Sequence, residues 1–260
     1  MAIDIQTISQ LRDKTGAGIG DCKKALEEAV GDIDKAIEVL RKRGEIKAAK
    51  KSDRATTEGI VAIKKENSKT AVTALACETD FVSRNEDFII VAESLPGKLL
   101  ALGETGFKTW AENYIKNELI IKIGENIQLA DFGIIEGEII GTYIHSNKKI
   151  AAVVVLSGGE ELANDIAMQV VAMTPKYLKP EDVTVDELEK EKEIYRVQLQ
   201  QENKPANIWD KIIEGKLNKY YEEVCLLNQS FIKDEDKKIS DLIKEAGSDV
   251  EIKSFRRFQV

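Results

Sequence analysis

Residues 58–85 read EGIVAIKKENSKTAVTALACETDFVSRN. Apolar and β-branched residues fill EGIVAIKK (58–65) and TAVTALACE (70–78), and Asn67-Ser68 between them is a turn pair. The stretch therefore predicts a β-hairpin. The next run, EDFIIVAESL, changes period. Phe88, Val91, Ala92 and Leu95 share one helical face, and Pro96-Gly97 marks the expected end of that helix. A large ring, Phe81, sits at the polar junction of hairpin and helix. Three readings of it stay open at this level: a core plug, a contact for a partner, or part of a ligand site.

The plan recurs 78 residues on. EGEIIGTYIH (136–145), a turn at Ser146-Asn147 and KIAAVVVLS (149–157) predict a second hairpin. Gly158-Gly159 leads into EELANDIAMQVVAM, which places Leu162, Ala163, Ile166, Ala167, Val170 and Val171 on one face. Both units start Glu-Gly, so the chain reads as an internal pseudo-repeat. Two hairpin–helix units, each with a helix over one sheet face, make an α+β fold. A helix-rich section to about Ile121 and the run KIGENIQL lie between them.

Upstream, residues 1–54 predict three short helices. Ile5, Ile8 and Leu11 mark the first, and Thr15-Gly16-Ala17-Gly18 breaks it. Cys22, Ala25, Leu26, Ala29 and Val30 mark the second, between Asp21 and Gly31. Asp32 is a good N-cap for the third, which buries Ile33, Ala36, Ile37 and Leu40 and is expected to stop at Gly44. Residues 45–57 read as a charged tether. Downstream, Thr184 and Glu187 match a capping box ahead of a charged helix. Asn203-Lys204-Pro205 turns the chain, and ANIWDKIIEGKLNKYYEEV returns. Ile194, Val197 and Leu199 would meet Ile208, Ile212 and Leu217 along a thin seam, giving a projecting antiparallel helical hairpin. Strand, helix and strand in 226–260 would complete the second sheet. The expected domains are a three-helix module with basic tether (1–54), two core subdomains (55–135, and 136–183 plus 221–260) and the hairpin (184–220).

Composition narrows the function. The 260 residues carry a formal net charge of −8, a poor match to phosphate backbones. Residues 1–54 are the exception, with 12 Lys and Arg against 10 Asp and Glu. RKRGEIKAAKKSDR (41–54) reads first as a solvated helix face or hinge; RNA contact is the disfavoured alternative, and DNA is not an expected partner. Cys22, Cys77 and Cys225 are odd in number and far apart, without a CxxC, which argues for a reducing compartment. The start MAIDIQTISQL has neither a basic nor an apolar signal region, and no run approaches 18 apolar residues. A cytoplasmic location without a membrane span is expected.

Few residues of the chain are placed for chemistry. His145, the sole histidine, reads first as a half-buried strand residue and second as a polar contact for a partner. The His and Cys residues are too scattered for a metal site. TGAGIGD (15–21) spaces its glycines G-x-G-x-G after a helix, so it is not a dinucleotide loop. The readings are no enzyme, no cofactor and no metal, which leaves an interaction protein.

Several segments then resemble one family. TGAGIGDCKKALEEAVGDIDKAIEVLRKRG (15–44), TDFV (79–82), KIGENI (122–127), GTYIH (141–145), KPEDV (179–183) and FRRF (255–258) are similar, in order, to the bacterial translation elongation factor Ts family. The resemblance covers nearly the whole chain. It implies a ubiquitin-associated-like N-terminal bundle, a core of two related α+β subdomains, and a hairpin serving as coiled coil or dimerisation element. It also implies guanine-nucleotide exchange on elongation factor Tu: binding of its GDP form at the GTP-binding domain, displacement of its Mg²⁺, and GDP release. Thr79, Asp80, Phe81 and Val82 would act in that displacement. Lys23, Ile123, Gly124 and His145 are implied as further contacts, and a second copy of the chain as a further partner.

Overall fold

The computed structural model describes residues 3–260, without the side chains of residues 45 and 47–50. Lys47 and Lys50 of the basic run thus lie outside the described side chains. The chain divides into two compact units. Among the described residues, unit 1 holds 3–135, 146–150 and 258–260; unit 2 holds 136–145 and 151–257.

Unit 1 opens with helices α1 (Ile5–Thr15), α2 (Ile19–Glu28) and α3 (Ile33–Lys51). Leu11, Cys22, Ala25, Leu26, Ala36 and Leu40 form their shared core. Ile5 and Val30, expected inside, are exposed. Gly16 ends α1 in the left-handed region, at φ 66°, which a glycine adopts without steric cost. The Asp32 carboxylate caps α3 by accepting from the Lys35 amide at 3.1 Å. Contrary to expectation, α3 runs through Gly44. A Cβ at residue 44 would lie 2.4 Å from Ile121 Cδ1 and 3.2 Å from the Lys116 carbonyl oxygen. Gly44 is therefore a close-approach residue that lets α3 lie on the segment 116–121, and only residues 52–57 remain as a connection.

Strands β1 (Glu58–Glu66) and β2 (Lys69–Cys77) pair antiparallel, Glu58 opposite Cys77 and Glu66 opposite Lys69. Asn67 takes the positive φ of 53° that this two-residue turn requires. After the short helix α4 (Asp80–Ser83), α5 spans Glu86–Tyr114, capped by the Asn85 side chain. Pro96-Gly97 does not end it. Proline inside a helix costs about 3 kcal/mol, but Leu95, Pro96 and Leu99 are all buried there, and each Leu returns about 1.5–3 kcal/mol. The break falls instead at Gly103, with φ 67° and ψ 168°. A π-helical turn, Ile115–Leu119, and α6 (Ile120–Ile123) follow. They lead into β3 (Ile127–Glu136), a strand the sequence did not announce, which completes a sheet ordered β1-β2-β3. Phe88, Leu95, Leu99 and Phe107 fill the space between α5 and the sheet.

A second sheet, ordered β4-β5-β8, is built from Ile139–Ile144, Ile150–Leu156 and Ile252–Gln259, most of it in unit 2. Helix α7 (Glu160–Met173) packs on β4. The approach is close: a Cβ at Gly141 would sit 1.9 Å from the Ala163 carbonyl oxygen. Helices α8 (Val185–Gln201) and α9 (Trp209–Val224) contact each other. Their seam matches the expected one only in part. Leu199 is buried as expected, but Ile194, Val197 and Ile208 are exposed, and Ile213, Tyr220 and Val224 are buried instead. Lys216 crosses the seam, its ammonium lying 5.2 Å from the Tyr195 ring centroid and donating to Gln198 Oε1 at 2.7 Å. The two-stranded ribbon β6–β7 (Ser230–Phe231, Asp234–Lys238) and α10 (Ile239–Ala246) precede β8.

Candidate functional site

The TDFV turn joins β2 to α5. Cys77 ends the strand, and its thiol donates to the Thr79 carbonyl oxygen at 3.3 Å. Thr79 is the N-cap of α4; its Oγ1 accepts from the Val82 amide at 3.4 Å. The same hydroxyl donates to Glu125 Oε1 at 2.6 Å. Glu125 Oε2 accepts from the Glu78 and Thr79 amides at 3.1 and 3.0 Å. One carboxylate thus takes three donors from two adjacent residues, and hydrogen bonds to a charged acceptor are the stronger kind.

The contact is reciprocated. Glu78 Oε1 accepts from the Asn126 amide at 2.6 Å, and Glu78 Oε2 pairs with Arg54 Nη1 at 3.4 Å. Asn126 is buried, and its Nδ2 donates to the Arg54 carbonyl oxygen at 2.9 Å. Gln128 Nε2 donates to the Ser52 carbonyl oxygen at 3.3 Å. Lys51 Nζ donates to the Gly124 carbonyl oxygen. Three segments, 51–54, 78–79 and 124–128, are therefore knotted at the foot of α4.

Above that foot, Val82 packs on the unit 1 core. Asp80 forms an ion pair with Arg84 at 3.2 Å, and Ser83 Oγ donates to the Asp80 carbonyl oxygen at 3.1 Å. Phe81 stands apart: it is 84% exposed, although it is the largest apolar side chain of the turn. The core-plug reading fails. Leaving a phenylalanine in water forfeits about 1.5–3 kcal/mol that burial would return.

Burial pushes the Cys77 thiol up to about 12 and the Cys225 thiol up to about 11, so neither supplies a thiolate near neutrality. Among the described residues no group of three or more His, Cys, Asp or Glu could hold a metal ion. No helix of those residues is long and apolar enough to cross a membrane.

The family model described as Elongation factor TS matches residues 78–260, starting at this turn. The chain belongs to the elongation factor Ts family. It is thus a translation elongation factor and not an enzyme. Elongation factor Ts of Aquifex aeolicus is 43% identical over 286 aligned positions, covering 100% of this chain and 98% of the relative. That of a Hydrogenobaculum species is 44% identical over 274, covering 100% and 99%. That of Hahella chejuensis is 42% identical over 260, covering 96% and 89%.

Of the remaining residues that the elongation factor Ts resemblance singled out, Ile123 and Gly124 lie beside the TDFV foot. Ile123 is half-buried against the unit 1 core, and Gly124 caps α6 at φ 87°. Lys23 lies exposed on α2, 3.9 Å from Glu27. His145 is half-buried just past β4 and belongs to unit 2. Glu78, Glu125, Asn126 and Arg54 were not foreseen. The one hint was Glu125 itself, a carboxylate directly after the turn glycine Gly124.

Proposed function

We propose that this chain is a guanine-nucleotide exchange factor that binds the GDP form of elongation factor Tu through the GTP-binding domain, displaces its Mg²⁺ and speeds GDP release. The observation that carries the reading is an exposed phenylalanine on a braced turn. Phe81 would be the wedge, with Thr79, Asp80 and Val82 shaping it; Lys23, Ile123, Gly124 and His145 would add contacts. The domain layout proposed with it is a ubiquitin-associated-like bundle (1–54), two related subdomains (55–135, and 136–183 plus 221–260) and a coiled-coil or dimerisation hairpin (184–220). The setting is the cytoplasm; a second copy of the chain is a candidate partner, and RNA and DNA are not.

No bond chemistry is needed. If factor and GDP weaken each other's binding, the coupling is reciprocal. Burying one Phe only in the nucleotide-free complex is worth about 1.5–3 kcal/mol, or roughly 10–150-fold in nucleotide affinity. Mg²⁺ demands near-ideal octahedral geometry, so a small shift of its ligands releases it and loosens the phosphates. Stopped-flow release of a fluorescent GDP from elongation factor Tu tests this. The chain should accelerate release, and Phe81→Ala should remove most of the acceleration; wild-type rates in the variant would take Phe81 out of the mechanism.

A further inference from the structure

We infer that Glu78 and Glu125 are positioning residues, a reciprocal clasp that sets the pose of Phe81 before any partner arrives. The inference rests on the exchange reading above for its effect on rate, but not for its structural half.

Residues 78 and 125 are 47 positions apart, yet each side chain accepts from backbone at or next to the other. Glu125 takes the amides of residues 78 and 79 and the Thr79 hydroxyl. Glu78 takes the amide of residue 126 and the Arg54 guanidinium. Thr79 links the clasp to the wedge, because its hydroxyl donates to Glu125 while accepting from the Val82 amide. The four residues of α4 cannot hold a helical turn by themselves, since helix nucleation is unfavourable. With its foot fixed and Val82 anchored in the core, the one turn left leaves Phe81 pointing outward. An unbraced Phe81 would fold back onto apolar surface, or sample many orientations and lose that freedom on binding.

Two measurements separate this role from general stability. Amide hydrogen exchange needs no partner. In Glu125→Ala the amides of residues 78, 79 and 82 should exchange at least about tenfold faster, while those paired between β1 and β2 keep their wild-type rates. Loss of protection in both places, or in neither, overturns the clasp. GDP release supplies the second. At saturating factor, Glu125→Ala should slow stimulated release about tenfold, with less than about a threefold change in the half-saturating concentration. Glu125→Gln, which keeps an acceptor for the amides but loses the charge, should fall between. In a Phe81→Ala background, Glu125→Ala should add less than about twofold, because it acts through that ring. An equal loss in both backgrounds would overturn the inference. If Phe81→Ala alone released GDP at the wild-type rate, the exchange reading would fall with it, whereas the amide result would still judge the clasp. Should Glu125→Ala not melt cooperatively, Glu125→Gln carries the same comparisons.

Discussion

Each unit of this chain runs hairpin, turn, helix, yet the two turns are made in opposite ways. The first turn, 78–85, is capped by the Thr79 and Asn85 side chains, fastened by two carboxylates, and tipped with an exposed ring. The second, 157–159, enters α7 through Gly159 at φ 68° with no side-chain cap, and Val250 lies 3.2 Å from where a Gly159 Cβ would stand. The helices follow suit. Phe88, Leu95, Leu99 and Phe107 stand between α5 and its sheet, whereas Gly141 and Ala163 bring α7 and β4 into close contact. A shared plan therefore sets the frame, and the connection decides whether a unit presents something or closes on itself.

Four tests press on that contrast. The largest effect should come from the closed side: Gly141→Ala forces a Cβ against the Ala163 backbone, which cannot swing away. About 3 kcal/mol is expected, a fall of roughly 6–12 °C in Tm by calorimetry; an unchanged Tm would mean that α7 does not sit close. Phe81→Ala should do the reverse. It should cost about 1.5–3 kcal/mol in exchange efficiency but shift Tm by less than about 2 °C, since the ring is in solvent. Third, Gly159→Ala should cost about 1–2 kcal/mol through its left-handed backbone, seen as a lower urea midpoint with an unchanged slope.

The smallest effect concerns a carboxylate knot in unit 2. Glu187 accepts hydrogen bonds from the Tyr177 and Tyr220 hydroxyls, with Lys176 3.6 Å away. The Tyr177 bond first, then the Tyr220 bond, hold the Glu187 carboxyl below its ordinary value of 4.5. A depressed carboxyl stabilises the fold above that ordinary value and loses the contribution as pH falls through the folded one. The stability gap between wild type and Glu187→Gln should therefore be widest near neutrality and should close as pH drops below about 4.5. A gap that stays constant from pH 6 to 3 would mean the two phenols do not select the ionised form.

Local pattern carried much of the fold. Both hairpins, the Asp32 and Thr184 caps and the faces of α5 and α7 were legible because they depend on neighbours in sequence. The departures share a cause. Gly44 and Pro96 read as stops, but burial against residues far along the chain overrode their local preference. Strand β3 went unread because Asp131 and Gly133 interrupt IQLADFGIIE; as the last strand of its sheet, it tolerates both. Phe81 was visible as an oddity, and its motif pointed to a family. The Glu78–Glu125 exchange was not visible, since nothing in the spacing of two glutamates tells which amides they will meet.

The connection 52–57 carries a last consequence. Composition marks it as the stretch most open to insertion: short, charged and outside any helix or strand. Yet the Ser52 and Arg54 carbonyl oxygens receive the Gln128 and Asn126 amide groups. One residue added between Ser52 and Arg54 would break the spacing that lets both acceptors meet their donors. Its length is thus a ruler, and a tag or label spliced there would be felt at the exposed ring.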